Sequence, residues 1–149
     1  MRQLSILLFL NFWLTGQHNF ASEQPMKLDE LISNWISANK IGGSDLQGIE
    51  ACNFGIFEST DGYTIYLTGS KEYDPEDDDW STQIDYEPTN KYLLVPTGLT
   101  EHLDWMGVLE LVENSLTAYV NSDTFANSEL ANITVITTGF DDGDLTRIK

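Results

Sequence analysis

ACNFGIFESTDGYTIYLTGS, residues 51–70, carries the strongest local signal for structure in the chain. Apolar, β-branched and aromatic residues alternate on both sides of the dipeptide Asp61-Gly62. An Asp-Gly pair with flanks of this kind favours a tight turn between two antiparallel strands. We therefore predict a β-hairpin with strands over residues 51–58 and 63–68.

Helices are predicted on both sides of this hairpin. Upstream, apolar residues at helical spacing end before Gly42-Gly43, which is typical of a helix terminus. These residues are Leu28, Leu31, Ile32, Trp35 and Ile36. Downstream, a stripe of about five turns follows Thr100, the predicted N-cap. Its members are Trp105, Val108, Leu109, Val112, Leu116, Tyr119 and Val120.

Further strand patterns complete the predicted domain. Residues 91–95 read as a strand that Pro96 stops, and residues 133–137 and 145–148 read as a terminal hairpin around a turn at 139–144. Two main helices and several strands with tight turns indicate a single α+β domain. We expect a largely antiparallel sheet packed against the two helices.

The charge of the chain restricts its partners. The 149 residues include 24 Asp and Glu against 7 Lys and Arg, a net charge of −17, while 41% of residues are hydrophobic. That apolar content is sufficient for a folded core. Binding to nucleic acid or to an anionic membrane surface relies on Lys and Arg, so the composition argues against both classes of partner.

Residues 1–25 have the layout of a secretory signal peptide. Arg2 precedes an apolar run from Leu4 to Leu14, which is too short to span a membrane, and Ala21 is a suitable residue before a cleavage site. The prediction is a periplasmic or secreted domain of residues 26–149, with no stable membrane insertion. The alternative is a cytoplasmic protein that starts at Met26. The leader holds one base and one acid, so the charge of −17 belongs to the domain.

Acidic residues are densest between Lys71 and Lys91, where eight carboxylates occur without a basic residue. A run of like charges is commonly just a solvated loop. Tyr73 and Trp80 bracket this one, however, and an exposed Trp inside an acidic collar is typical of a site for a basic protein surface. The alternative is that Trp80 is a core residue. Whether its side chain is buried or exposed distinguishes these two interpretations. The predicted partner-binding residues are Tyr73, Asp74, Glu76, Asp77, Asp78, Asp79, Trp80 and Asp85.

Signals for metal binding and catalysis are weak. The acidic segments do not match the EF-hand ligand pattern, and the weak Ca²⁺ candidates Asp141, Asp142 and Asp144 are more simply a turn between strands. Beyond the leader, His102 is the only histidine and is predicted in the first turn of the long helix, while Cys52 is the only thiol and is predicted to be buried. We expect no cofactor and no enzymatic activity.

Several short segments carry a resemblance to a known group of proteins. They are Gly62-Tyr63, Tyr66–Ser70, Tyr73-Asp74, Asp77–Trp80, Lys91–Leu93 and Gly139–Leu145. Over residues 50–149 the chain resembles the small acidic immunity proteins encoded beside bacterial polymorphic toxins. The resemblance implies a non-enzymatic inhibitor that plugs the active site of a toxin, although most similar proteins have no leader.

The expected function is therefore that of an acidic binding protein, an immunity-type inhibitor that occludes a basic toxin or effector. Two alternatives stay open at this point. One is a secreted or periplasmic module that binds Ca²⁺ or a small ligand. The other is an envelope hydrolase that uses acidic residues, which requires a concave pocket with at least two carboxylates.

Overall fold

The structure, a computed structural model, describes residues 24–149. The predicted signal peptide lies almost entirely outside these residues. Within them, the predicted hairpin is confirmed as β1 (Ala51–Ser59) and β2 (Gly62–Ser70), which pair antiparallel from Ala51↔Ser70 to Ser59↔Gly62. Gly62 has a φ of 113°, a backbone conformation that favours glycine after Asp61.

Five strands form the sheet described for these residues. The others are β3 (Tyr92–Leu94), β4 (Val135–Phe140) and β5 (Thr146–Arg147), and the strand order is β3-β2-β1-β4-β5. All neighbours are antiparallel except β1 and β4, which run parallel at the centre. The largely antiparallel α+β prediction is confirmed. The terminal hairpin is also present, but β4 continues to Phe140, so Gly139 lies in the strand and the turn is shorter than predicted.

Helices α1 (Leu28–Asn39) and α3 (Trp105–Val120) pack together on one face of the sheet. Two short helices, α2 (Thr97–Thr100) and α4 (Asp123–Ala126), precede and follow α3. α1 ends at Asn39, three residues before Gly42, because Lys40 adopts the left-handed conformation with a φ of 51°.

The predicted start of the long helix is wrong. Thr100 is buried and ends α2, whereas Asp104 caps α3 by accepting a hydrogen bond of 2.8 Å from the Gly107 N–H. His102 consequently lies in the connection before α3 and not in its first turn. Trp105 becomes the first residue of the helix, where it is 58% exposed and not part of the buried stripe.

The main core lies between the helices and the near face of the sheet. It is built from alternate residues of β1, β2 and β4 together with the buried sides of α1 and α3. Cys52 lies on this face and is buried, as predicted, and burial raises the pKa of its thiol to about 12. A buried, protonated thiol of this kind is unreactive.

A smaller apolar cluster packs on the far face of the sheet, opposite α1 and α3. A 3-10 helix (Asp78–Thr82) places Trp80 against Ala51 and Val135, forming a second apolar cluster. Beside that cluster, the Thr137 hydroxyl donates a hydrogen bond of 2.9 Å to the Asn53 side-chain oxygen. Within residues 24–149, no helix has the length and apolar character needed to cross a membrane.

Candidate functional site

Six of the eight predicted partner-binding residues lie in one loop after β2, which we call the acidic loop (residues 72–79), and the other two, Trp80 and Asp85, follow it. All its carboxylates are exposed, and Tyr73 is half-buried. Trp80, directly after the loop, is only 5% exposed and meets the Tyr73 ring edge-to-face at 5.3 Å. The indole therefore anchors the loop to the sheet and offers little surface to a partner, so the interpretation of Trp80 as an exposed contact is corrected.

Several acidic side chains hold the local backbone. Asp74 accepts from the Glu76 N–H at 2.9 Å, Asp77 accepts from the Asp79 N–H at 3.0 Å, and Asp85 accepts from the Lys71 N–H at 2.8 Å. Asp and Asn commonly stabilise turns by such bonds. The side-chain carboxylates of three exposed acids in the acidic loop accept none of the hydrogen bonds found within residues 24–149. They are Glu72, Glu76 and Asp79.

A shallow depression of about 520 Å³ adjoins the acidic loop. Its lining carries one ammonium group, that of Lys71, against five carboxylates. The acids are Glu50, Glu72, Asp74, Asp77 and Asp79. Negative charge concentrated in a concavity raises the local concentration of cationic groups.

A second acidic segment lies next to the acidic loop although it is far away in sequence. This acidic turn (residues 141–144) connects β4 to β5. The Leu145 N–H donates a hydrogen bond of 2.9 Å to the Asp78 carboxylate and so joins the two segments. The Tyr66 hydroxyl donates to the Asp141 carboxylate, and burial together with this bond raises the pKa of the Tyr66 phenol. The two acidic segments thus form one connected surface.

The acidic turn also borders a cleft of about 860 Å³, which we call the α3 cleft. It lies where the parallel strands β1 and β4 end, next to the first turns of α3. Trp105, Leu109 and Phe140 supply apolar walls, and Glu58 adds a carboxylate to those of the acidic turn. The sequence prediction missed this cleft because the helical stripe placed Trp105 in the core; an Asp cap directly before Trp105 was the signal that could have placed it at the helix end.

The remaining predicted sites are dispersed. Within residues 24–149, no three His, Cys, Asp or Glu side chains converge in a way that could hold a metal ion, and this includes Asp141, Asp142 and Asp144. The His102 side chain is 89% exposed, with its Nε2 atom 3.3 Å from the Glu101 carboxylate. Cys52 lies on the near face of the sheet in the main core. The acidic surface and the α3 cleft are therefore the features that can serve recognition.

Comparisons with known protein families, with curated proteins and with solved structures found no match.

Proposed function

We propose that this domain is a non-enzymatic acidic binding protein that occludes a basic surface of a partner protein, in the manner of an immunity-type inhibitor. The observation that carries the proposal is the hydrogen bond from the Leu145 N–H to Asp78, which unites the acidic loop and the acidic turn. A joined acidic surface matches an extended basic surface better than two isolated charge clusters.

The chemistry of such a surface fits inhibition of an enzyme that acts on a phosphate-bearing substrate. Carboxylates at Glu72, Glu76 and Asp79 would take the positions that phosphates occupy on a basic toxin. Their attraction to basic groups accelerates encounter with the partner. At about 0.5 M ionic strength the Debye length is about 4 Å, so salt screens this attraction at longer distances. Contacts that exclude water then slow dissociation.

The test uses the protein encoded beside this chain in its parent organism. Co-expression of this chain should restore growth of cells that express that neighbouring protein, and the two purified proteins should associate. The triple variant Glu72→Gln, Glu76→Gln, Asp79→Asn removes three charges that do not hold the loop backbone. We expect its association rate at 50 mM NaCl to fall about tenfold, with a smaller dependence on salt.

A matched control removes the same charge elsewhere. Asp29→Asn, Glu110→Gln and Asp123→Asn together leave the acidic surface intact, and we expect less than about a twofold change in rate. Failure of this chain to protect cells or to bind its neighbour would refute the inhibitor function. Equal losses of rate in both triple variants would show that net charge, and not the acidic surface, governs association.

A further inference from the structure

We infer that the α3 cleft receives an arginine side chain presented by the basic partner. This inference rests on the proposed function and goes further, because it names the side chain that the cleft selects. The cleft combines an exposed aromatic wall, an acidic border and a rigid frame.

The aromatic wall is unusual for a helix that packs on a sheet. Trp105 is 58% exposed and Met106 57% exposed at the start of α3, where neither contributes to the buried side of the helix. The centroid of the Trp105 ring lies 6.4 Å from that of Phe140 in an edge-to-face arrangement, and this contact holds the indole in position. The open indole leaves a π-face on which a planar cation can stack.

The charged side chains that line the cleft are all acidic. Glu58, Asp141, Asp142 and Asp144 line it, and no basic side chain occurs among the described residues that do so. Asp142 and Asp144 are exposed. An apolar cavity with this border complements a side chain that carries both a hydrocarbon stem and a positive charge.

The acidic turn is held in place before any ligand arrives. The Asp141 N–H donates to the Ile56 carbonyl at 3.1 Å, and the Gly143 N–H donates to the Phe140 carbonyl at 3.0 Å. At Gly139, a Cβ atom would lie 2.6 Å from the Asp144 carbonyl oxygen, so glycine permits this close return of the chain. A preformed border reduces the conformational entropy lost on binding.

Arginine fits this arrangement better than lysine. A guanidinium group is planar, stacks on aromatic rings and can donate two parallel hydrogen bonds to one carboxylate, whereas an ammonium group is a compact and strongly hydrated charge. The exposed Trp105 indole beside the Asp142 and Asp144 carboxylates offers both interactions at one place.

The experiment titrates the full chain with three acetylated and amidated pentapeptides by calorimetry at 50 mM NaCl. They are Arg-Gly-Arg-Gly-Arg, its lysine counterpart and its citrulline counterpart. We expect saturable binding of the arginine peptide, about fivefold weaker binding of the lysine peptide, and no binding of the citrulline peptide, which lacks the charge. The arginine peptide should also protect the exposed indole from acrylamide quenching.

Two variants locate the binding. Trp105→Leu keeps an apolar side chain but removes the π-face, and Asp142→Asn with Asp144→Asn removes the charge of the border. Each should weaken the arginine peptide at least fivefold and abolish the preference for arginine over lysine. The control pair, Asp29→Asn with Asp123→Asn, removes equal charge near the other end of α3, a helix about 24 Å long. Circular dichroism confirms that each variant is folded.

The outcomes separate the two proposals. Equal peptide affinity in the wild type and both cleft variants overturns the arginine site, and the inhibitor function then rests on the acidic loop alone. Selective arginine binding that both cleft variants lose supports the site even if the neighbouring protein does not bind, a result that refutes the inhibitor function instead.

Discussion

Replacement of Gly55 by alanine should destabilise the domain through a single steric contact. Gly55 lies in the central strand β1, and the ring of Tyr66 on β2 covers it. A Cβ atom at Gly55 would lie 2.0 Å from Cζ of Tyr66 and 2.2 Å from its hydroxyl oxygen. Carbon atoms in contact are about 3.5 Å apart, so the ring must move by about 1.5 Å.

The expected change in the free energy of unfolding follows from the displacement of the Tyr66 ring. Overpacking of an ordered site costs about 1–3 kcal/mol. Displacement of the ring also breaks the hydrogen bond from the Tyr66 hydroxyl to Asp141, a net loss of about 1 kcal/mol. Alanine also lowers the conformational entropy of the unfolded chain relative to glycine, which offsets about 0.4–1 kcal/mol of this loss. We expect Gly55→Ala to lower the free energy of unfolding by about 1–3.5 kcal/mol.

Urea denaturation followed by circular dichroism measures this change, and two controls isolate its cause. Gly98→Ala adds a methyl group with no heavy atom within 4 Å, so we expect no loss of stability. In a Tyr66→Ala background the obstructing ring is missing, and Gly55→Ala should then cost less than about 0.5 kcal/mol. An equal cost of Gly55→Ala in both backgrounds would refute the steric explanation.

Three further predictions concern burial. Trp80→Ala should lower the free energy of unfolding by about 3–5 kcal/mol and Trp105→Ala by less than about 1 kcal/mol in the same urea assay, because only Trp80 is buried. Cys52 should not react with Ellman's reagent at pH 8 in the native protein and should react fully in urea, since burial raises its pKa to about 12; fast native reaction would contradict this placement. Burial likewise raises the pKa of Tyr119 from 10.0 to about 12, against a smaller opposing effect of its hydrogen bond to Ser128. The unfolded chain therefore loses this proton first, and the stability present below pH 10 should be lost between pH 10 and 12, with a shallower decline in Tyr119→Phe.

The elements that sequence reasoning predicted correctly are those that local periodicity defines. The alternation around Asp61-Gly62 specifies β1 and β2, and the apolar spacing from Leu28 to Ile36 specifies α1. The parallel pairing of β1 with β4 was not predicted. It joins segments about 80 residues apart, and no local pattern encodes which strand completes the sheet.

The sequence by itself determined the amount of charge, the α+β class and the residues of the two acidic segments. Only the tertiary structure decided the roles of two tryptophans. Trp80, directly after an acidic and exposed segment, is buried because it packs against Ala51 and Val135 on the far face of the sheet. Trp105, in a helical apolar stripe, is exposed because α3 begins there. Long-range contacts also bring the two acidic segments together, because the pairing of β4 with β1 places Leu145 beside Asp78.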